Sequence, residues 1–112
     1  MAFNNPGLNT PQNCTADFSL IPIGSQNVSF SKQVADIQRL MQSSGLKYQM
    51  HATGTIIEGS WEEVSRIIGY AHSLIHQEGI PRIQTDIRII TRTDKVQPME
   101  ANVLSVQRAL ST

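Results

Sequence analysis

A single cysteine, Cys14, stands in a chain of 112 residues, so neither an internal disulfide nor a cysteine-rich zinc site can form. Aromatic residues make up only 5%, and nine basic side chains are cancelled by nine acidic ones. A dedicated nucleic-acid binder needs a basic excess or a stacking platform, and this chain has neither. No run of about 18 apolar residues occurs, so no segment is expected to span a membrane. The polar, Asn- and Pro-containing start lacks the basic and apolar regions of a secretory signal. Gly-x-Gly-x-x-Gly, a Walker loop and Gly-x-Ser-x-Gly are also missing, which removes the simplest signatures of dinucleotide, nucleotide and serine-hydrolase sites. The length suits one domain that buries roughly 65% of its unfolded surface without metal or disulfide staples. A soluble cytoplasmic domain is the expectation.

What is present is strongly periodic. Residues 1–14 show no apolar pattern and read as a flexible N-terminal tail, leaving 15–112 as the domain. Phe18 and Leu20 alternate with Asp17 and Ser19, which predicts a strand over Thr15–Ile23 with Pro22 near its end. Phe30, Val34, Ile37, Leu40 and Met41 recur at helical spacing, with Ser31 as the expected N-cap and Gly45 as the left-handed stop. Leu46–Thr53 alternates again, Gly54 marks a turn or bulge, and Thr55–Glu58 completes a hairpin. Ser60 and Glu63 fit a capping box, and Trp61, Val64, Ile67, Ile68, Ala71, Leu74 and Ile75 form one apolar arc. Gly79 and Pro81 stop that helix. Arg82–Thr93 reads as a long strand, and Pro98 opens a last helix carrying Met99, Val103, Val106 and Leu110.

The order is β-α-β-β-α-β-α, and its first six elements are the ferredoxin-like βαββαβ arrangement. The expected class is therefore α+β: a four-stranded antiparallel sheet, helices on one face, plus a C-terminal helix. Two helices cannot cover both faces of such a sheet. The open face would carry Ser19, Ile21, Gln49, His51, Asp86, Arg88, Ile90 and Arg92. Its apolar members, Ile21 and Ile90, predict self-association, against the common alternative of a solvated antiparallel face.

Three phrases in order carry a family resemblance. They are Ser43-Ser44-Gly45-Leu46-Lys47-Tyr48, then Gly54-Thr55-Ile56-Ile57-Glu58-Gly59 leading into Trp61, and Thr85-Asp86-Ile87-Arg88 running on to Thr91-Arg92-Thr93-Asp94-Lys95. Together they resemble the small thiamine-binding-protein family of microbes and fungi, over roughly Asp17–Leu110. The resemblance implies a ferredoxin-like subunit and a homo-oligomer, dimer or tetramer. It further implies binding of thiamine or its hydroxymethylpyrimidine part, with no catalysis and no required cofactor.

A thiamine site needs a slot for the flat aminopyrimidine, a carboxylate for the cationic ring or the amino group, and hydroxyl or backbone partners. Glu58, at a strand end before Gly59, is the candidate carboxylate; its alternative role is to stabilise the N-terminus of the next helix. Trp61 offers an indole face for a cation but also lies on the apolar arc. Thr53 and Thr55 offer hydroxyls beside Gly54, although threonine is ordinary in strands. Asp86 and Arg88 share a strand face with Arg82 and Arg92, which fits either an ion-pair network or a ligand contact with an anion on arginine. His72 and His76 are spaced for a shared metal, but no third ligand is evident and no metal is expected. Two other functions stay open: a regulatory or scaffolding module using the sheet face, and a cofactor-free enzyme with His51 or Asp86 as base.

Overall fold

The computed structural model describes residues 5–24, 30–95 and 98–111. Its elements are β1 (Cys14–Pro22), α1 (Ser31–Ser44), β2 (Lys47–His51), β3 (Gly54–Gly59), α2 (Trp61–Gln77), β4 (Ile83–Thr91) and α3 (Met99–Leu110). The four strands form one sheet in the order β2-β3-β1-β4, antiparallel at every pairing. This is the ferredoxin-like α+β arrangement expected from the element order.

Strand parity sorts the side chains. Cys14, Ala16 and Phe18 of β1 are buried together with Thr55 and Ile57 of β3 under α1 and α2. Helix α1 contributes Ile37 and Met41, and α2 contributes Val64, Ile68, Ala71 and Ile75. The buried Thr55 hydroxyl accepts a hydrogen bond from the Gln38 side-chain amide at 3.0 Å, so this polar group has a partner inside the layer.

The helix ends follow local chemistry, with one correction. Helix α2 starts on the expected capping box: Ser60 Oγ accepts from the Glu63 N–H, and Glu63 Oε1 accepts from the Ser60 N–H, both at 3.2 Å. Hydrogen bonding from the Ser60 side chain, and then from its backbone N–H, holds the Glu63 carboxyl below its ordinary range. Ser60→Ala removes one of these bonds and is expected to lower stability by about 1 kcal/mol in chemical denaturation. Helix α1 ends as expected on Gly45 at φ 75°. At its start, however, the cap position is Phe30 and Ser31 is already helical, so the expected Ser31 cap is displaced by one residue. The Phe30 carbonyl accepts the first helical bond, from the Val34 N–H at 2.8 Å.

Helix α3 departs from the other two. It has no buried residue, and Val103, Val106 and Leu110 are exposed. Lys47 on β2 reaches Glu100 at 3.2 Å. A cavity of about 250 Å³ separates Met99, Val103 and Leu104 from Gln49 and Ile56, which face away from α1 and α2. Two helices therefore cover one face, and the third rests lightly on the β2–β3 part of the other. The Cα radius of gyration, 16.2 Å, exceeds the ~13 Å expected of a compact chain this long.

Candidate functional site

Strand register builds a row of side chains across the open face. Thr15 on β1 lies opposite Glu58 on β3 on one side and opposite Ile90 on β4 on the other. These three line a cavity of about 220 Å³ with Asn13 and Cys14, Arg92 and Lys95 beyond β4, and Asn102 from α3. The lining thus comes from three strands, the segment before β1, the β4–α3 connection and a helix.

Glu58 is the exceptional group in it. Its Oε2 is buried and has no hydrogen-bond partner. Capping of α2 is already performed by Ser60 and Glu63, so Glu58 is not needed there. A carboxylate oxygen taken from water without replacement donors carries a free-energy penalty that a ligand donor would relieve.

The basic side of the cavity is partly neutralised. Arg92 forks onto Asp94, with Nε donating to Oδ1 at 2.7 Å and a terminal NH2 donating to Oδ2 at 2.5 Å. This bidentate pairing, aided by Lys95, lowers the Asp94 carboxyl to about 2. Because the folded value lies below the ordinary 3.8, the pair contributes fully above pH 3.8 and is lost as pH falls through about 2. Carbon-detected NMR titration should place the Asp94 midpoint at about 2, and Arg92→Ala should return it towards 3.8. Lys95 makes no ion pair among the described residues. Burial pushes the Cys14 thiol up, which keeps it protonated and unreactive.

A second cavity, of about 170 Å³, lies at the opposite end of the sheet between α1 and the β2–β3 turn. Phe18, Leu20, Val34, Ile37 and Met50 supply apolar walls, and Gln38, His51, Thr53 and Thr55 supply polar groups. His51 reaches across β3 to β1, its Nε2 lying 2.7 Å from Asp17 Oδ1. The Thr53 N–H donates to His51 Nδ1 at 3.3 Å, which assigns the Nε2 proton to the Asp17 side. The crossing is possible because Gly54, which lies between them, has no side chain.

The six candidate residues are consequently not one cluster. Glu58 lines the first cavity, Thr53 and Thr55 line the second, and Trp61, Asp86 and Arg88 line neither. Trp61 packs partly buried against the core, and its backbone N–H donates to the Pro11 carbonyl at 3.0 Å, tying the segment before β1 to α2. Asp86 accepts from Gln84 at 3.2 Å and, like Arg88, forms no ion pair among the described residues. The anticipated network around Asp86 does not form: Asp86 and Arg88 are two apart on one strand, and Arg92 turns to Asp94 instead. His72 shares a hydrogen bond with Thr85, and His76 Nδ1 contacts the Ile80 carbonyl at 2.8 Å, so the two imidazoles have separate partners. Burial, with the neighbouring His76, holds the His72 pKa down.

Sequence reasoning missed Thr15, Lys95 and Asn102 as cavity residues. Lys95 had a signal, since it closes the Arg-Thr-Asp-Lys phrase; Thr15 and Asn102 are placed only by register and by the seating of α3.

The profile described as "Thiamine-binding protein" matches residues 16–107. UPF0045 protein ECM15 of Eremothecium gossypii is 41% identical over 95 residues, covering 85% of this chain and 90% of its own length. UPF0045 protein sll0230 of Synechocystis is also 41% identical over 95 residues, covering 85% of this chain and 78% of its own. The crystal structure of protein MJ1052 from Methanocaldococcus jannaschii superposes with a TM-score of 0.77 at 27% identity, covering 86% of this chain and 97% of that one. With that profile spanning residues 16–107 and relatives 41% identical over most of their length, this chain belongs to the thiamine-binding protein family.

Proposed function

We propose that this protein is a non-catalytic binder of thiamine or its hydroxymethylpyrimidine moiety, acting in the cytoplasm as a homo-oligomer. The observation that carries the reading is the buried, unpartnered Oε2 of Glu58 facing a cavity of about 220 Å³. An aminopyrimidine amino group or a thiazolium cation supplies the donor or positive charge which that oxygen lacks. The family description supports the ligand class, and neither a nucleophile–base pair nor a cofactor enters the reading.

The same cavity and its surroundings support the oligomer. At about 220 Å³ the cavity is smaller than the ~300 Å³ at which enclosing pockets usually begin, which suits completion by a second subunit. Ile90 is 60% exposed at its edge, Ile21 is 40% exposed on the same sheet face, and α3 presents Val103 and Val106. Burial against a second copy removes this apolar surface from water, and both β2 and β4 are edge strands open to pairing.

Titration calorimetry of the full chain with thiamine and with hydroxymethylpyrimidine tests the ligand. Saturable heat with an upward shift in melting temperature is expected; no response to either at millimolar concentration would overturn the reading. Light scattering after size exclusion tests the assembly, and a monomer at high protein concentration would remove that part.

A further inference from the structure

The charges around the Glu58 cavity say more than that it accepts a cation. Lys95, and Arg92 behind its fork with Asp94, lie on the β4 side. Glu58 lies on β3, two strands away, a separation of about 10 Å. An unphosphorylated thiamine would meet its counter-charge at Glu58 and only repulsion at Lys95. A ligand with a positive or amino-bearing head and an anionic tail satisfies both ends.

We infer that the ligand of this cavity is a phosphate monoester, its cationic or amino head on Glu58 and its phosphate on Lys95; thiamine monophosphate and hydroxymethylpyrimidine monophosphate have this chemistry. The inference rests on the binding function proposed above. Arg92 is engaged by Asp94, so its charge is largely answered within the chain. Lys95 has no ion pair among the described residues, and an ammonium is a strong point-charge partner for a phosphate carrying about −1.5 to −2 at neutral pH. Thr15 and Asn102 line the same space and bring a hydroxyl and an amide.

The test is titration calorimetry on the full chain with four probes: thiamine, thiamine monophosphate, hydroxymethylpyrimidine and its monophosphate. Inorganic phosphate serves as the fifth. Each monophosphate is expected to bind about tenfold more tightly than its parent, as for one added charge-assisted hydrogen bond. Lys95→Ala should abolish that preference. Lys95 is exposed, so the variant should keep the wild-type melting temperature. Equal affinity for parent and phosphate, or a preference that survives Lys95→Ala, overturns the inference while the binding function stands. Inorganic phosphate binding as tightly as the esters also overturns it, because Glu58 would then contribute nothing. If none of the four organic probes binds, the proposed function falls together with this inference.

Discussion

Gly54→Ala is expected to lower stability by about 3 kcal/mol, and the melting temperature by about 13 °C, measured at fixed protein concentration. The reason is space rather than backbone dihedral, since Gly54 is not among the glycines with positive φ. A Cβ there would lie 2.5 Å from the Phe18 carbonyl oxygen and 2.7 Å from Ser19 Oγ. Neither neighbour can yield cheaply. The first is backbone of the central strand β1, and the second is pinned to the Thr53 carbonyl at 2.5 Å. The His51 ring, 3.3 Å from the same Cβ, is held by Asp17. Alanine would therefore part β3 from β1 or expel His51 from its crossing. Gly69 is the internal control. It lies inside α2, where an added Cβ would meet nothing within 4 Å, so Gly69→Ala should stabilise by about 0.5–1 kcal/mol. Wild-type stability in Gly54→Ala would mean that the strands are less tightly juxtaposed than described.

Glu58→Met is expected to move stability and binding in opposite directions. The unliganded protein should gain about 1 kcal/mol, because a buried oxygen without a partner is replaced by an apolar group of similar volume. Thiamine binding should weaken by about 30-fold, equivalent to roughly 2 kcal/mol for a lost hydrogen bond to a charged group. Denaturant unfolding of the free protein reads the first effect, and calorimetry with thiamine reads the second. A variant that is less stable would show that Glu58 supports the fold, and one that binds as well as wild type would remove it from the site. Such opposition is the mark of a residue kept for a ligand rather than for folding.

Much of the fold was legible from the residues because the signals are local. The Ser60–Glu63 pair specifies its own cap within four positions, and Gly45 supplies the left-handed turn that ends α1. Strand parity in β1 follows from alternation alone. The Ser31 cap is displaced because helical hydrogen bonding already begins at the Phe30 carbonyl, one residue earlier, which puts Ser31 inside the first turn. The proposed grouping of Thr55 with Glu58 could have been rejected on the sequence itself. Residues three apart on a strand face opposite sides, and the structure accordingly buries Thr55 under α1 while Glu58 faces the open side. Trp61 illustrates the competition between roles: its place on the apolar arc takes it towards the core.

The chain's own text determined the element order and the ferredoxin-like class, because periodicity, caps and turns act over a few residues. Only the tertiary structure decided which residues share a space with Glu58. Pairing β1 with both β3 and β4 sets Thr15 between Glu58 and Ile90 and brings Lys95 to the same cavity, across separations of tens of residues. It also decided that His51 meets Asp17 over Gly54 and that α3 leaves its apolar stripe exposed. Those outcomes depend on register and on which face a helix returns to, and neither is encoded in any short stretch of sequence.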